Sequence, residues 1–500
     1  MSRRCALLLL GMLGCAGSQK SPATSVATAA PPALPPAPAA AEPPPVPAPA
    51  YMEQPPTLPP VRAFVPPAPA SWKLKNGLTV TLLEKHTAPL VGVSLVVPTG
   101  SDADPPSKAG LAALTANLLD EGAGGRGTLE IAEAIEQLGA QLQTAASVES
   151  SQVVLEVLRP RLEPALGLLA DVALRPNFDA KEFDRIKAET LAHILQRKSE
   201  PHAVAALVLD AALYGKTAYG RPVEGTVKSV EPIVLSDVRA FYAAHYHPGG
   251  AILVVSGDVT MDELRPQVER LFGAWKPGPI RKLLPPKPPR TRPRLVLVDK
   301  PGAPQSVVRV GEPTLARRSP DYPALETAIM VLGGSFTSRL ERNLRERNNF
   351  SYGASARIEW RRGAGPLVLG ADVFSDVTAP ALAELLKELA GIRDGVSEEE
   401  LGKAKALERQ QLVHEMQSGF GLTQLLSALV TAGLPPGEYR NLEAQLERLQ
   451  DAQLKQAADR YVHPDRATIV IVGDLAKIRP AIEKLGSFAI EVWDADGNRL

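Results

Sequence analysis

A twelve-residue segment occurs twice in this chain and constrains its fold more than any other feature. Residues 247–258 begin with His-Pro, continue through a run of aliphatic residues and end in Gly-Asp, and residues 463–474 follow the same pattern. The two copies begin 216 positions apart. Each copy is typical of a buried strand that lies between a proline and a turn. A repeat at this spacing predicts two homologous units of about 215 residues in tandem.

A proline-rich connector separates the two predicted units. Both units restart with strand-like sequence, at residues 78–83 and 294–298, and both mix helical periodicity with β-rich stretches. We therefore predict an α+β fold of two tandem homologous domains, each an antiparallel sheet covered by helices. The expected boundaries are 71–275 for the N-terminal domain, 276–292 for the linker, 293–485 for the C-terminal domain and 486–500 for a tail without an assigned role.

The residues before the first domain are expected to serve targeting and attachment. Residues 1–20 combine two arginines with a short apolar run and small residues, which is typical of a signal peptide. The sequence around Cys15 resembles a bacterial lipobox, so Cys15 is the candidate lipidation site; the alternative is a plain signal peptide with an incidental cysteine. Residues 21–70 hold 18 of the 48 prolines and predict a disordered Pro/Ala-rich tether. We expect an outer-membrane lipoprotein of the bacterial cell envelope that faces the periplasm, with a secreted or soluble periplasmic protein as the alternative.

The composition excludes several classes of function. Lys+Arg and Asp+Glu both number 55, and this zero net charge argues against a nucleic-acid-binding protein. Both cysteines of the chain lie within its first 15 residues, so the folded domains have neither a disulfide framework nor a cysteine-ligated zinc site. Only seven histidines occur, and any metal or acid–base chemistry has to use these or carboxylates. No later stretch is apolar over 18 residues, which predicts that no helix spans a membrane.

A series of short motifs resembles the inverzincin peptidases, the family of pitrilysin, insulinase and the mitochondrial processing peptidase. The resemblance covers roughly residues 70–485 and depends on the order and spacing of the motifs. It implies a zinc peptidase fold in which the two tandem domains form half of a clamshell chamber. The motifs are, in chain order, 76–78, 100–101, 110–112, 138–140, 219–222, Gly225, 246–258, 301–305 and 338–340.

The zinc-binding motif of that family is missing here. In the family, a helix that follows Gly-Leu-Ala carries His-x-x-Glu-His, which supplies two zinc ligands and the general base. The matching positions are Ala113, Ala116 and Asn117, and the third ligand position aligns with His193, with Glu189 as the nearest carboxylate. A catalytic zinc needs three protein ligands, so the resemblance implies a degenerate, metal-free site. Residues 111–118 are instead predicted to form an amphipathic core helix with its leucines turned inward. The other histidines do not form a cluster that could bind a metal ion in place of the missing motif.

A second motif of the family is retained in the C-terminal unit. Leu340 and Leu344 predict a helix that ends near the turn-prone pair Asn348-Asn349, and a strand is expected from Ser351 to Ile358. Arg345 and Tyr352 match the arginine and tyrosine of the family, which implies substrate binding by Arg345 and oxyanion stabilisation by the Tyr352 hydroxyl. A fixed cation and a phenol donor suit a site where negative charge develops during acyl transfer.

This combination predicts a subunit that is inactive alone. We expect the metal-free partner of a heterodimeric zinc metallopeptidase, in which Arg345 and Tyr352 act in trans on unfolded peptides and zinc is held by a homologous partner subunit. The chain itself is expected to bind no cofactor. Two alternatives stay open, namely a catalytically inert peptide-binding or scaffold protein and a self-sufficient zinc peptidase with relocated ligands.

Overall fold

The computed structural model describes residues 66–281, 284–288, 293–486 and 488–500. The predicted signal peptide, Cys15 and the tether up to residue 65 lie outside the described residues, as do parts of the connector. Within the described ranges, no helix has the length and apolar character needed to cross a bilayer.

Each half of the chain builds one six-stranded sheet. The strand order is β1-β2-β6-β3-β5-β4 in the first sheet and β12-β7-β11-β8-β10-β9 in the second. The first sheet consists of β1 (Ala70–Lys73), β2 (Thr79–Glu84), β3 (Leu90–Val97), β4 (Gln141–Ala146), β5 (Ser151–Leu158) and β6 (Ile252–Gly257). The second consists of β7 (Arg294–Asp299), β8 (Gln305–Ala316), β9 (Ser351–Ile358), β10 (Ala364–Phe374), β11 (Thr468–Gly473) and β12 (Ala489–Trp493).

The repeated segment occupies the same place in both sheets, which confirms the two homologous domains. Strand β6 lies between β2 and β3, and β11 lies between β7 and β8. Each sheet is mainly antiparallel, as expected, but β6 is parallel to β2, and β7 is parallel to both β11 and β12. Between β2 and β6, and between β7 and β11, the chain passes through further strands and helices before it returns to the same end of the sheet, and such a crossover produces parallel pairing.

The C-terminal segment, for which the sequence suggested no role, extends the second sheet. Strand β12 pairs in parallel with β7 along its whole length, with Ala489 opposite Arg294 and Trp493 opposite Val298. The sheet therefore continues past residue 485, the expected end of the C-terminal domain.

Helices cover the sheets in both halves. A π-helix spans Glu341–Arg347 and comes directly before strand β9. The N-terminal half contains α1 (Leu111–Asn117), α2 (Thr128–Leu138), α3 (Leu162–Leu174), α4 (Ala180–Arg197), α5 (Pro201–Tyr214), α6 (Val227–Val230), α7 (Leu235–His245) and α8 (Met261–Phe272). The C-terminal half contains α9 (Tyr322–Gly333), α10 (Thr378–Gly391), α11 (Glu398–Glu415), α12 (Gly419–Thr431), α13 (Tyr439–Arg448), α14 (Asp451–Tyr461) and α15 (Leu475–Glu483).

The two halves exchange one helix each. Because strand side chains alternate between faces, each sheet has a face that the helices of its own half cover and an opposite face. On the opposite face of the second sheet, Leu209 of α5 joins a cluster with Val296 and Val470. On the opposite face of the first sheet, Leu426 of α12 joins a cluster with Val254. The nearly continuous apolar character of the inner strands follows from this burial on both faces.

Candidate functional site

Helix α1, which carries the former zinc-binding positions, is part of the core. Its N-terminus follows Gly110, which has a φ of 102° and lies so close to Glu224 that an added Cβ would approach the Glu224 carbonyl oxygen at 2.7 Å. The carboxylate of Asp104 accepts hydrogen bonds from the backbone N–H groups of Gly110 at 2.8 Å and of Ala112 at 2.9 Å. Burial raises the pKa of Asp104 to about 7 despite these bonds.

The apolar residues of this helix are buried on more than one side. Leu114 and Leu118 are almost fully buried, as an amphipathic core helix requires, but Ala116 is also fully buried and Ala113 nearly so. Burial therefore extends beyond a single apolar face of the helix. Ala116, at the position of the family's general base, has no contact with solvent.

A cavity of about 480 Å³ adjoins α1 at two of the positions that match the family's zinc motif. Ala113 and Asn117 line it, whereas Ala116 and His193 do not, and neither Arg345 nor Tyr352 reaches it. Most of the remaining lining is small or apolar. It comprises Ala145, Ala146, Arg197, Ala203, Ala206, Leu207, Asp210, Pro222, Val223 and Glu224.

The residues around this cavity do not fit a zinc ion. Glu224 Oε2 is already bonded to Arg197 Nη1 at 3.1 Å and to His193 Nδ1 at 3.2 Å. Glu189, the alternative third ligand, accepts a hydrogen bond from Arg185 at 3.0 Å. In the part of the chain that the structure describes, no three His, Cys, Asp or Glu side chains are grouped to hold a metal.

The cavity borders a free sheet edge. Strand β4 is the outermost strand of the first sheet, and its Ala145 and Ala146 line the cavity. Its side chains alternate between more and less exposed positions, and it pairs with β5 on one side. An outer strand presents backbone N–H and C=O groups that can pair with an extended peptide.

In the C-terminal half, the π-helix holds Arg345 in a defined position. The guanidinium lies 4.1 Å from the ring centroid of Phe336, and its Nη1 lies 3.7 Å from Glu341 Oε2. Glu341 is itself buried, and its Oε1 accepts a hydrogen bond from the backbone N–H of Ala354 in β9 at 3.2 Å. Arg345 is therefore fixed to the strand that carries Tyr352.

Tyr352 projects from the second residue of β9 into solvent. It is 80% exposed, and its ring packs edge to face on Phe374 with 5.9 Å between the centroids. Phe336 and Phe374 are also exposed. No hydrogen bond or ion pair joins Arg345 directly to Tyr352 within the described ranges. The structure thus has a partly exposed cation on the exposed Phe336 ring and an exposed tyrosine on the Phe374 ring.

The sequence did not predict the residues that contact Arg345 and Tyr352. Phe336 and Glu341 support Arg345, and Phe374 supports Tyr352, but a phenylalanine in a loop or a glutamate on a helix carries no signal of such a contact. The pairing of His193 with Glu224 likewise joins positions 31 residues apart that only the fold brings together.

Two family models match the chain in succession. The model described as insulinase, peptidase family M16, matches residues 79–227, and the model described as the peptidase M16 inactive domain matches residues 232–408. Together they include strands β2 to β10, whereas β1, β11 and β12 lie outside the matched residues.

Individual relatives agree with these matches. An uncharacterized zinc protease of Mycobacterium tuberculosis is 28% identical over 415 residues, which is 81% of this chain and 93% of that protein. The non-peptidase homolog YmxG of Helicobacter pylori is 26% identical over 408 residues, 79% of this chain and 91% of that protein. The crystal structure of a peptidase M16 inactive domain from Pseudomonas fluorescens superposes with a TM-score of 0.77 at 26% identity and covers 81% of this chain and 98% of that chain.

Proposed function

The chain belongs to peptidase family M16, the insulinase family, and we propose that it is a metal-free subunit that completes the active site of a zinc-bearing homologue. In this proposal the chain forms half of a clamshell chamber around an unfolded peptide. The partner holds the zinc ion and its activated water, and this chain supplies Arg345 and Tyr352.

The observation that carries the proposal is the different fate of the two motifs. Ala113, Ala116 and Asn117 offer no zinc ligand set, whereas Arg345 is held by Phe336 and by a buried glutamate. Tyr352 stays 80% exposed and free to reach a substrate bound outside this chain. A cation and a phenol that contribute little to packing are expected to persist where they stabilise charge on a reacting group.

The free edge of β4 supports a role in peptide binding. An extended peptide that pairs with β4 would run past the cavity at Ala145 and Ala146, and every second side chain of the peptide would point to the same face of the sheet. The small lining residues leave space for side chains of different shapes. This fits a chamber that selects unfolded peptides by size and charge.

A catalytically inert peptide-binding or scaffold protein is the second candidate. The β4 edge and its alanine-lined cavity could bind a peptide without any chemistry, and one relative is named a non-peptidase homolog. A self-sufficient zinc peptidase is less favoured, because the described residues offer no grouped ligands for a relocated metal.

Reconstitution with a zinc-bearing homologue from the same organism tests the proposal. We expect Tyr352→Phe and Arg345→Ala each to lower kcat/KM of the complex for an unfolded peptide by about 100-fold, because an oxyanion donor contributes on the order of 10²–10³ in rate. The zinc content of the complex should not change. Arg347→Ala, on the exposed face of the same helix, is the matched control.

Three outcomes separate the candidates. Loss of rate in both variants with retained zinc supports the subunit. An unchanged rate in both variants contradicts it and leaves the peptide-binding or scaffold protein. Stoichiometric zinc in this chain purified alone, measured by elemental analysis, would show a metal site of its own.

A further inference from the structure

A second cavity lies in the helical layer of the C-terminal half, away from both motifs. It has a volume of about 250 Å³ and is enclosed by α9, α11, α12 and α13. Glu415 and Gln411 on its rim are exposed, so the cavity opens to solvent. The residues that matter for its chemistry are Arg317, Tyr322, Glu326, Trp360, Glu408 and Glu415.

The lining of this cavity is strongly acidic. Four carboxylates, including those of Glu415 and Glu438, face a single guanidinium, that of Arg317. The Arg317 guanidinium lies 3.4 Å from the ring centroid of Tyr322 and so packs on the wall of the cavity. The cavity therefore holds more carboxyl groups than its one guanidinium can pair with.

Two of the carboxylates contain oxygens without a partner. Glu408 is only 7% exposed, and its Oε1 has no hydrogen-bond partner among the described residues. Glu326 Oε2, on α9, also lacks a hydrogen-bond partner among the described residues, although the Trp360 indole interacts with this carboxyl group, as the Thr327 hydroxyl does with Glu408. A buried carboxylate oxygen without a partner is costly, so each oxygen favours a proton, a water molecule or a cation from outside.

The other walls favour an organic cation over a metal ion. Trp360 packs edge to face on Tyr322 with 4.4 Å between the centroids, and Leu412, Leu425 and Leu429 provide aliphatic surface. Aromatic and aliphatic walls around carboxylates match an ammonium group at the end of an alkyl chain. The described carboxylates, in contrast, include no group of three arranged for a metal.

We propose that this cavity binds a primary alkylammonium group, with the ammonium between Glu408 and Glu326 and the methylene chain against Trp360 and the leucines. The group is either a free aliphatic amine or the side chain of a lysine in a bound peptide or protein. The site is independent of the paired peptidase function, because it uses neither Arg345 nor Tyr352.

The protonation state of Glu408 and Glu326 predicts that ammonium binding is accompanied by the release of a proton. Burial, with a smaller contribution from Glu326, raises the pKa of Glu408 to about 8, and burial raises the pKa of Glu326 to about 7. At neutral pH the empty cavity thus holds protons on these carboxyls. An incoming ammonium favours the charged form, so its binding should release a proton to the buffer.

Isothermal titration calorimetry on the full chain tests the site with two probes, cadaverine and Nα-acetyl-lysine amide. We expect at least one of them to bind at millimolar concentration or below, with a proton released at pH 7 as judged from heats in two buffers of different ionisation enthalpy. Glu408→Gln should weaken binding by about tenfold or more and reduce the proton release, since only Glu326 then has a proton to lose. Glu312→Gln is the matched control, because Glu312 is equally buried but accepts a hydrogen bond from the His463 N–H at 2.6 Å.

The two probes distinguish the source of the ligand. Preference for cadaverine supports a free amine, and preference for the lysine amide supports a lysine side chain. If neither probe binds, or if Glu408→Gln binds as tightly as the wild type, the proposal is wrong. Should Glu408→Gln fail to fold, Glu326→Gln provides the same test from the opposite wall.

Discussion

The first and second sheets end in equivalent outer strands, β4 and β9, and each of these strands lies beside one of the two family motifs. The comparison shows how differently the motifs have changed. Beside β4, helix α1 is buried on several sides, and the positions that match the family's two zinc ligands and general base carry Ala113, Asn117 and Ala116. Beside β9, Arg345 is held by a ring and a carboxylate, and Tyr352 is left exposed.

The difference indicates that packing stabilises the helix at the positions matching the family's zinc motif, whereas contacts to neighbouring side chains position the residues that match the family's arginine and tyrosine. Alanines in α1 bury apolar surface and stabilise the first core, so they are useful without any metal. The buried Glu341 and the exposed Phe336 gain little from packing as such, and their contacts are explained by the position that they impose on Arg345.

The largest expected effect comes from restoring the general base. Ala116→Glu should lower the free energy of unfolding by on the order of 4 kcal/mol, because it overpacks a fully buried position and buries a carboxyl group. Ala113→His with Asn117→His should cost less than about 1 kcal/mol, since both positions face the cavity. Urea unfolding measures both. If both changes lower the free energy of unfolding by the same small amount, α1 has space for the complete His-x-x-Glu-His motif.

The helix exchange predicts a slightly smaller effect that reaches both halves. Leu209→Ala and Leu426→Ala should each cost about 3 kcal/mol, because both leucines are buried against the sheet of the opposite half. Hydrogen exchange read by mass spectrometry should show lower protection in both sheets for either variant. The exposed Leu195 provides the control substitution Leu195→Ala. Loss confined to one half would show that the halves fold independently.

Removing the support of Arg345 should have an intermediate effect. Glu341→Ala deprives the Ala354 N–H of its acceptor and Arg345 of its carboxylate, so we expect a loss of about 2 kcal/mol in the free energy of unfolding. Glu346→Ala, on the exposed side of the same helix, should leave stability unchanged. If the two variants behave alike, Glu341 does not hold the site.

The smallest effects on stability are expected for substitutions of Tyr352 and Arg345, which should have the largest effects on the peptidase activity of the complex. Tyr352→Phe should change the free energy of unfolding by no more than about 0.5 kcal/mol, because the Tyr352 side chain is exposed, and Arg345→Ala by no more than about 1 kcal/mol, because it removes the partly exposed cation beside Glu341. Thermal unfolding of the isolated chain measures this directly. A loss above about 1 kcal/mol in either variant would assign that residue to packing and weaken the comparison between the two edges.

Part of the candidate site could be predicted from sequence, and the limits have physical causes. The buried Leu340 and Leu344 and the strand Ser351–Ile358 follow directly from periodicity. The π-helical geometry does not, because it depends on Asn343, whose carbonyl oxygen accepts from the Asn348 N–H five residues on. The side chain of Asn343 donates to Glu384 at 2.7 Å and Glu388 at 2.6 Å, and no local pattern indicates these partners on α10.

The amino-acid sequence by itself determined the duplication, the mixed α and β character of each unit and the absence of a zinc ligand set at Ala113, Ala116 and Asn117. It also indicated that each copy of the repeated segment is a buried strand. Only the tertiary structure decided what covers the second face of each sheet, where α5 and α12 cross to the opposite half. The reason is that the hydrophobic effect is non-directional, so an apolar strand face is stabilised by any apolar surface that covers it. A strand such as β6 requires a partner on each face, but only the path of the whole chain specifies which helix provides it.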